Sequence, residues 1–241
     1  MTLLLEELDE RWNIACETLK SILKNHWVTT ENIDYFSNFL KSLQNQYTVI
    51  GLAGPGASGK TTILNKLKLE YGFHHLLNVT TRQARDNEQN GTDYCFLTEN
   101  EFKECLENKK FFSTVEKSGR GNYGIYQRDF NNVVNGIYKK ITLIESPLVL
   151  SNFYNTLIKK SEFLHSCIII YLLPNKPIIN TLVRHLSNRQ RNICVEEIAI
   201  NFGWRQIEEF SSLISLDKRI QLFVVEGLAP KNLSELIGNL T

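Results

Sequence analysis

Gly51-Leu-Ala-Gly-Pro-Gly-Ala-Ser-Gly-Lys-Thr-Thr62 is the stretch on which the fold reading turns. From Gly54 through Lys60 to Thr61 it fits G-x-x-x-x-G-K-[ST], the phosphate-binding loop or P-loop. Residues 47–53 (YTVIGLA) read as a β-strand running straight into the loop, and residues 61–67 (TTILNKL) read as the helix after it. That strand–loop–helix context gives the motif its meaning. The backbone N–H groups of Gly54, Gly56, Ala57, Ser58 and Gly59 are expected to form an anion nest. The helix start at Thr61 and Thr62 adds its positive end. Lys60 is expected to bridge the β- and γ-phosphates of ATP, and the Thr61 hydroxyl to ligate Mg²⁺. The loop defines a phosphate donor and leaves the acceptor open.

Outward from the loop, further buried strands are expected at 141–145, 167–173 and 221–225, with helices at 148–160, 178–186, 195–213 and from Pro230 to 240. Alternating strands and helices predict an α/β fold, a parallel sheet with helices on both faces. Ahead of the loop, Leu4, Leu8, Trp12, Ala15, Leu19 and Ile22 recur at steps of three and four, which predicts an amphipathic helix over 3–23. A second helix is expected from Thr30, burying Phe36, Phe39, Leu40 and Leu43. Two readings fit these helices: packing on the core, or a contact with a protein partner or a second copy.

The bulk composition narrows the class. The chain has 241 residues, 42% hydrophobic and 22% charged, which suits a folded globular protein. A net charge of +1 gives no global field for nucleic acid. Five scattered cysteines without C-x-x-C spacing read as free thiols of a reducing, cytoplasmic setting. His74-His75 has no partners at metal-ligand spacing. The N-terminus lacks a basic n-region and acquires acids within six residues, and no apolar run reaches membrane-spanning length, so neither a signal peptide nor a membrane span is expected.

The acceptor is written in residues 79–96, VTTRQARDNEQNGTDYCF. Arg82 and Arg85 stand three apart and would face one way if the segment were helical. A guanidinium pair suits the oxygens of a phosphate monoester. Tyr94 follows a polar turn, and a second tyrosine, Tyr123, precedes Gly124. Two arginines and two tyrosines make a phosphate pocket without a lysine.

At this point the sequence resembles the guanylate kinases. Their TTR-x-x-R…GE-x-x-G-x-DY-x-F block is matched here by Thr80, Thr81, Arg82, Arg85, Glu88, Gly91, Asp93, Tyr94 and Phe96, and their YG pair by Tyr123-Gly124. The resemblance runs from about residue 47 to the C-terminus and leaves the first 45 residues outside. It implies a P-loop NTPase-type sheet with an inserted acceptor-binding subdomain and a lid. The corresponding divisions are 1–45, a helical extension; 46–77, the core with its P-loop; 78–128, the insertion; and 129–241, the rest of the core with a lid at about 184–206. By the same resemblance Arg82, Arg85, Tyr94 and Tyr123 would contact the acceptor phosphate, and Thr81 would also line the acceptor site. Arg189 and Arg205 would act from the lid beside catalytic Lys60 and Arg82.

Base-reading positions depart from that pattern. The family's glutamate after its E-F step falls here on Ser113 or Thr114, with Glu116 close by; Ile125 follows the YG pair, Asn78 stands where a serine is common, and Glu145 with Pro147 replaces a D-x-D strand end. Glu116 and Glu145 are therefore the acids assigned to the acceptor's base. The implied activity is phosphoryl transfer from ATP to a nucleoside monophosphate such as GMP. A kinase of another small phosphorylated metabolite and a non-catalytic guanylate-kinase-like binding module are the alternatives.

Overall fold

The computed structural model describes residues 48–54, 58–86, 88–117, 121–160, 166–173 and 221–226, together with positions 10, 13, 14, 17, 18, 20, 21, 27–29, 41, 43 and 46. The core is a six-stranded sheet of β1 (Trp27–Thr29), β2 (Val49–Ala53), β3 (His74–His75), β8 (Ile141–Ile144), β9 (Cys167–Leu173) and β10 (Gln221–Glu226). Its order is β1-β10-β9-β2-β8-β3, and every pairing is parallel. Such a sheet needs both faces covered, so its strands read as continuous apolar runs. All seven residues of β9, CIIIYLL, are buried.

The strand's two-residue alternation sorts β9 into two apolar layers. Ile169, Tyr171 and Leu173 point into a cluster with Leu150, Phe153, Tyr154 and Leu157 of α4 (Pro147–Lys160). Ile168, Ile170 and Leu172 point into a cluster with Ile63, Leu64 and Leu67 of α1 (Lys60–Tyr71). Leu43, a helical position ahead of the P-loop, is also buried in the second cluster. Gly51 on β2 gives α4 its close approach: a Cβ there would lie 2.5 Å from the Tyr154 hydroxyl and 2.8 Å from both Leu150 methyls. That hydroxyl donates to the Ile168 carbonyl at 2.8 Å and so stitches helix to sheet.

A second sheet, ordered β5-β4-β7-β6, is built from β4 (Val79–Thr80), β5 (Cys95–Phe96), β6 (Phe111–Lys117) and β7 (Gly121–Tyr126). α2 (Glu99–Glu107) starts on a reciprocal capping box between Thr98 and Glu101, and α3 (Gln127–Val134) leads back to the core. Phe112 joins the two units, with its ring 4.1 Å from Phe130 of α3 and 5.5 Å from Phe153 of α4.

Several sequence readings change. Residues 81–85 are not helical, so three-residue spacing is not what brings Arg82 and Arg85 together. The strand at 27–29 was not foreseen; it lies between the two expected N-terminal helices. Of the first of those helices, Glu10, Asn13, Ile14, Glu17, Thr18, Lys20 and Ser21 are described and helical, whereas its six apolar positions lie outside the described residues. The helices expected at 178–186, 195–213 and 230–240, and the whole 184–206 segment, also lie outside them. Among the described residues no helix is long and apolar enough to cross a membrane, and no group of three His, Cys, Asp or Glu could hold a metal ion.

Candidate active site

The P-loop leaves the C-terminal end of β2, where open α/β sheets place their ligands. Gly54 has φ 130°, and a Cβ on it would lie 2.4 Å from the Leu172 carbonyl oxygen of β9. Conformation and crowding both demand glycine there. Gly59, with φ 87°, caps α1 in the left-handed region; no atom lies within 4 Å of a Cβ built there, so conformation alone selects glycine. Ser58 is buried, and Lys60 opens the helix. The Lys60 ammonium folds back on the loop, donating to the Gly54 carbonyl at 2.7 Å and to the Ser58 hydroxyl at 3.4 Å. Thr61 and Thr62 lie exposed in the first turn, which carries no acidic residue, so the helix's positive end is left for an outside anion. Gly56 and Ala57 lie outside the described residues.

In the insertion the two arginines are gathered by Glu88. Arg82 Nη1 lies 2.9 Å from Glu88 Oε2, and Nη2 donates to Oε1 at 3.0 Å. Arg85 Nη1 lies 3.3 Å from Oε1, and the Arg85 backbone N–H donates to Oε2 at 2.9 Å. Burial works against the Glu88 charge, but the hydrogen bonds and charges of the two arginines outweigh it and hold its carboxyl below the usual range. Burial likewise opposes the Arg82 charge, and Glu88 and Tyr123 outweigh it. The Arg82 guanidinium sits 5.2 Å from the Tyr94 ring centre and 5.5 Å from that of Phe96. Tyr94 meets Tyr123 edge to face at 6.4 Å. Burial pushes the Tyr94 phenol up, so it stays a hydroxyl donor at neutral pH. Thr81 is a strut of this pocket: its N–H donates to the Asn122 carbonyl at 3.0 Å, and its hydroxyl accepts from the Asn122 N–H at 2.9 Å.

Behind the cluster lies Glu145, at the C-terminal end of β8 and only 6% exposed. Asn78, equally buried, donates from Nδ2 to Glu145 Oε1 and to the Ile144 carbonyl, both at 2.8 Å. This amide ties the root of the insertion to the core strand. The Glu145 charge reaches Tyr94, where it helps to raise the phenol. Glu116 is placed differently: it is exposed on β6 opposite Asn122, on the same strand face as exposed Thr114. Ile125, after the YG pair, is buried at 1% exposure. Arg189 and Arg205 lie outside the described residues.

Two contributors escaped the sequence reading. Glu88 was matched as part of a motif without a role, and Asn78 was read only as a departure. A carboxylate three and six residues from two arginines is the signal that pointed to the first. A cavity of about 350 Å³ lined by Cys105, Lys110, Tyr126, Gln127 and Arg128 includes none of the residues above, so its size says nothing about the chemistry.

Residues 45–219 match the family model of guanylate kinase. The chain belongs to the guanylate kinase family. It is 32% identical over 151 residues to the guanylate kinase of Mycoplasma mobile, an alignment covering 58% of this chain and 69% of that one. It is 31% identical over 159 residues to that of Ehrlichia chaffeensis, covering 61% and 67%. A crystal structure of guanylate kinase from Anaplasma phagocytophilum overlays with a TM-score of 0.47 at 20% identity, covering 80% of this chain and 82% of that one. As a member of the guanylate kinase family, the chain is a nucleoside monophosphate kinase with a P-loop fold. The matched span ends before β10 and begins after β1.

Proposed function

We propose that this guanylate kinase family member transfers the γ-phosphoryl group of ATP to GMP, giving GDP and ADP. One observation carries the reading: the root of the arginine-bearing insertion is tied to the same end of the core sheet from which the P-loop leaves. The P-loop follows β2, Glu145 follows its neighbour β8, and Asn78 links Glu145 to the strand that leads into Arg82. The family relatives, named guanylate kinases, support GMP as acceptor.

In this mechanism the loop amides and the α1 N-terminus hold the donor phosphates. Lys60 exchanges the Gly54 carbonyl for phosphate oxygens. Arg82, Arg85, Tyr94 and Tyr123 hold the acceptor phosphate in line. One of its oxygens forms the new bond to the γ-phosphorus as the bond to the β–γ bridging oxygen breaks and ADP leaves. That oxygen is already anionic, so the chain needs no general base. Arg189 and Arg205 take the lid role, stabilising charge on the transferring group. Glu145 takes the guanine N–H donors, and Glu116, exposed on β6, supplies a second acid for the base.

Mg²⁺ suits the donor side. An exposed Thr61 hydroxyl beside Lys60 is a hard oxygen ligand of the kind that leaves most positions to phosphates and water. When bound, the ion would neutralise phosphate charge. Residues 78–128 act as the moving acceptor domain, and closure excludes water from the transfer. The proposed setting is cytoplasmic, with small nucleotides as partners.

The test is ADP release from ATP and Mg²⁺ across GMP, AMP, UMP, CMP and ribose 5-phosphate. GMP is expected to give the highest kcat/KM. Lys60→Ala should lower kcat about a thousandfold, and Arg82→Ala should raise the KM for GMP while leaving that for ATP unchanged. Equal turnover of all five acceptors, or of none, would overturn the proposal.

A further inference from the structure

β1 and β10 lie on opposite sides of the family-matched span, yet they pair with each other. Trp27 pairs with Val224, Val28 with Val225 and Thr29 with Glu226, in parallel. β10 is apolar on both faces: Leu222 and Val224 join one buried layer, and Val225 with half-buried Phe223 joins the other. A strand of that composition with an open edge offers its N–H and C=O groups to any extended segment, which is how sheets aggregate and how strand-addition partners bind. Here β1 takes that edge. It does so at the P-loop end of the sheet: Glu226 pairs with Leu173 of β9, next to the Leu172 carbonyl that crowds Gly54.

We propose that the outer edge of β10 is a strand-binding surface, that its ligand is this chain's own Trp27–Thr29, and that occupation in cis replaces the apolar β10 edge with one only three residues long and so denies it to a second copy. The segment ahead of the P-loop then serves as a built-in edge guard and not as an arm for another protein. It also covers the outer side of β10, the neighbour of the strand behind the loop that holds the donor.

Hydrogen exchange resolved by residue on the full-length chain tests this, and its readout is independent of catalysis. Along a strand in a parallel sheet, alternate amides point to its two neighbours. With β1 in place, the Val224–Glu226 amides are protected on both edges, equally at low and high protein concentration. Trp27→Pro, Val28→Pro and Thr29→Pro are compared because only alternate β1 amides donate to β10. At least one should speed exchange at Val224–Glu226 about tenfold and raise the mass by light scattering as concentration rises. A synthetic peptide of residues 22–34 should reverse both effects. Unprotected alternate amides in the unaltered chain would overturn the proposal. So would three proline variants with unchanged exchange and mass. Protection that fades on dilution as a dimer dissociates would assign the strand to a second copy and overturn occupation in cis. If every proline variant fails to fold, the exchange pattern of the unaltered chain and its concentration dependence decide.

Discussion

Arg82 and Glu88 meet through two oxygens, Nη1 at 2.9 Å from Oε2 and Nη2 at 3.0 Å from Oε1, with both side chains about nine-tenths buried. This fork-to-fork pair fixes the plane of the guanidinium before any acceptor arrives. Preorganisation of that kind spares the entropy of ordering a long side chain on binding. Glu88→Gln keeps an acceptor oxygen but loses the charge. It should raise the KM for the acceptor about tenfold, with a smaller effect on kcat. Steady-state kinetics with the acceptor varied check this; an unchanged KM would mean that Glu88 does not orient Arg82.

Asn78 supplies the side-chain bridge from the insertion's first strand to the buried Glu145. Asn78→Ala leaves a buried carboxylate oxygen and the Ile144 carbonyl without this donor. The expected loss is about 1–3 kcal/mol of stability, measured by urea unfolding. The acceptor KM should rise with it, because Glu145 loses a fixed position. A fully stable variant would contradict the tether.

His75 predicts a pH dependence. Burial, aided by the Lys68 and His74 charges and opposed by Asp93 and the Thr92 carbonyl, lowers its pKa from 6.5 to about 4. The folded chain therefore holds this imidazole neutral while the unfolded chain protonates it near 6.5. Its stabilising contribution is complete above the unfolded value and is lost as pH falls from 6.5 toward 4, by up to about 3 kcal/mol. His75→Gln should flatten the fall in unfolding free energy between pH 6.5 and 5, above the range where carboxylates titrate. An unchanged slope would refute the assignment.

Gly51→Ala puts a methyl group against the Tyr154 hydroxyl and Leu150 in a close-packed layer. It should cost about 1–3 kcal/mol, since neither neighbour is free to retreat. In a Tyr154→Phe background, where one of the clashing atoms is absent, the penalty should shrink. Equal penalties in both backgrounds would locate the strain elsewhere.

The core was legible where the sequence carries its own periodicity. The run at 167–173 is apolar throughout because a central parallel strand is covered on both faces, and the glycine loop follows its strand as local chemistry requires. The grouping of Arg82, Arg85, Tyr94 and Tyr123 was legible as spacing: they are distant in the chain but belong to one motif. The means of their convergence was not. A helix was the nearest local explanation for a three-residue step, whereas a tertiary ion pair to Glu88 does the work. β1 was missed because three residues cannot declare a period and its partner lies almost two hundred residues away. Asn78 was missed because a buried amide reveals itself only by what it bonds.

Phosphorus NMR of the full-length chain with ATP, Mg²⁺ and GMP reads phosphoryl transfer directly. The GMP monoester resonance should be converted to the α and β signals of GDP in step with the appearance of ADP, with no free inorganic phosphate. Release of inorganic phosphate without GDP, or spectra that stay unchanged with active protein, would contradict that transfer.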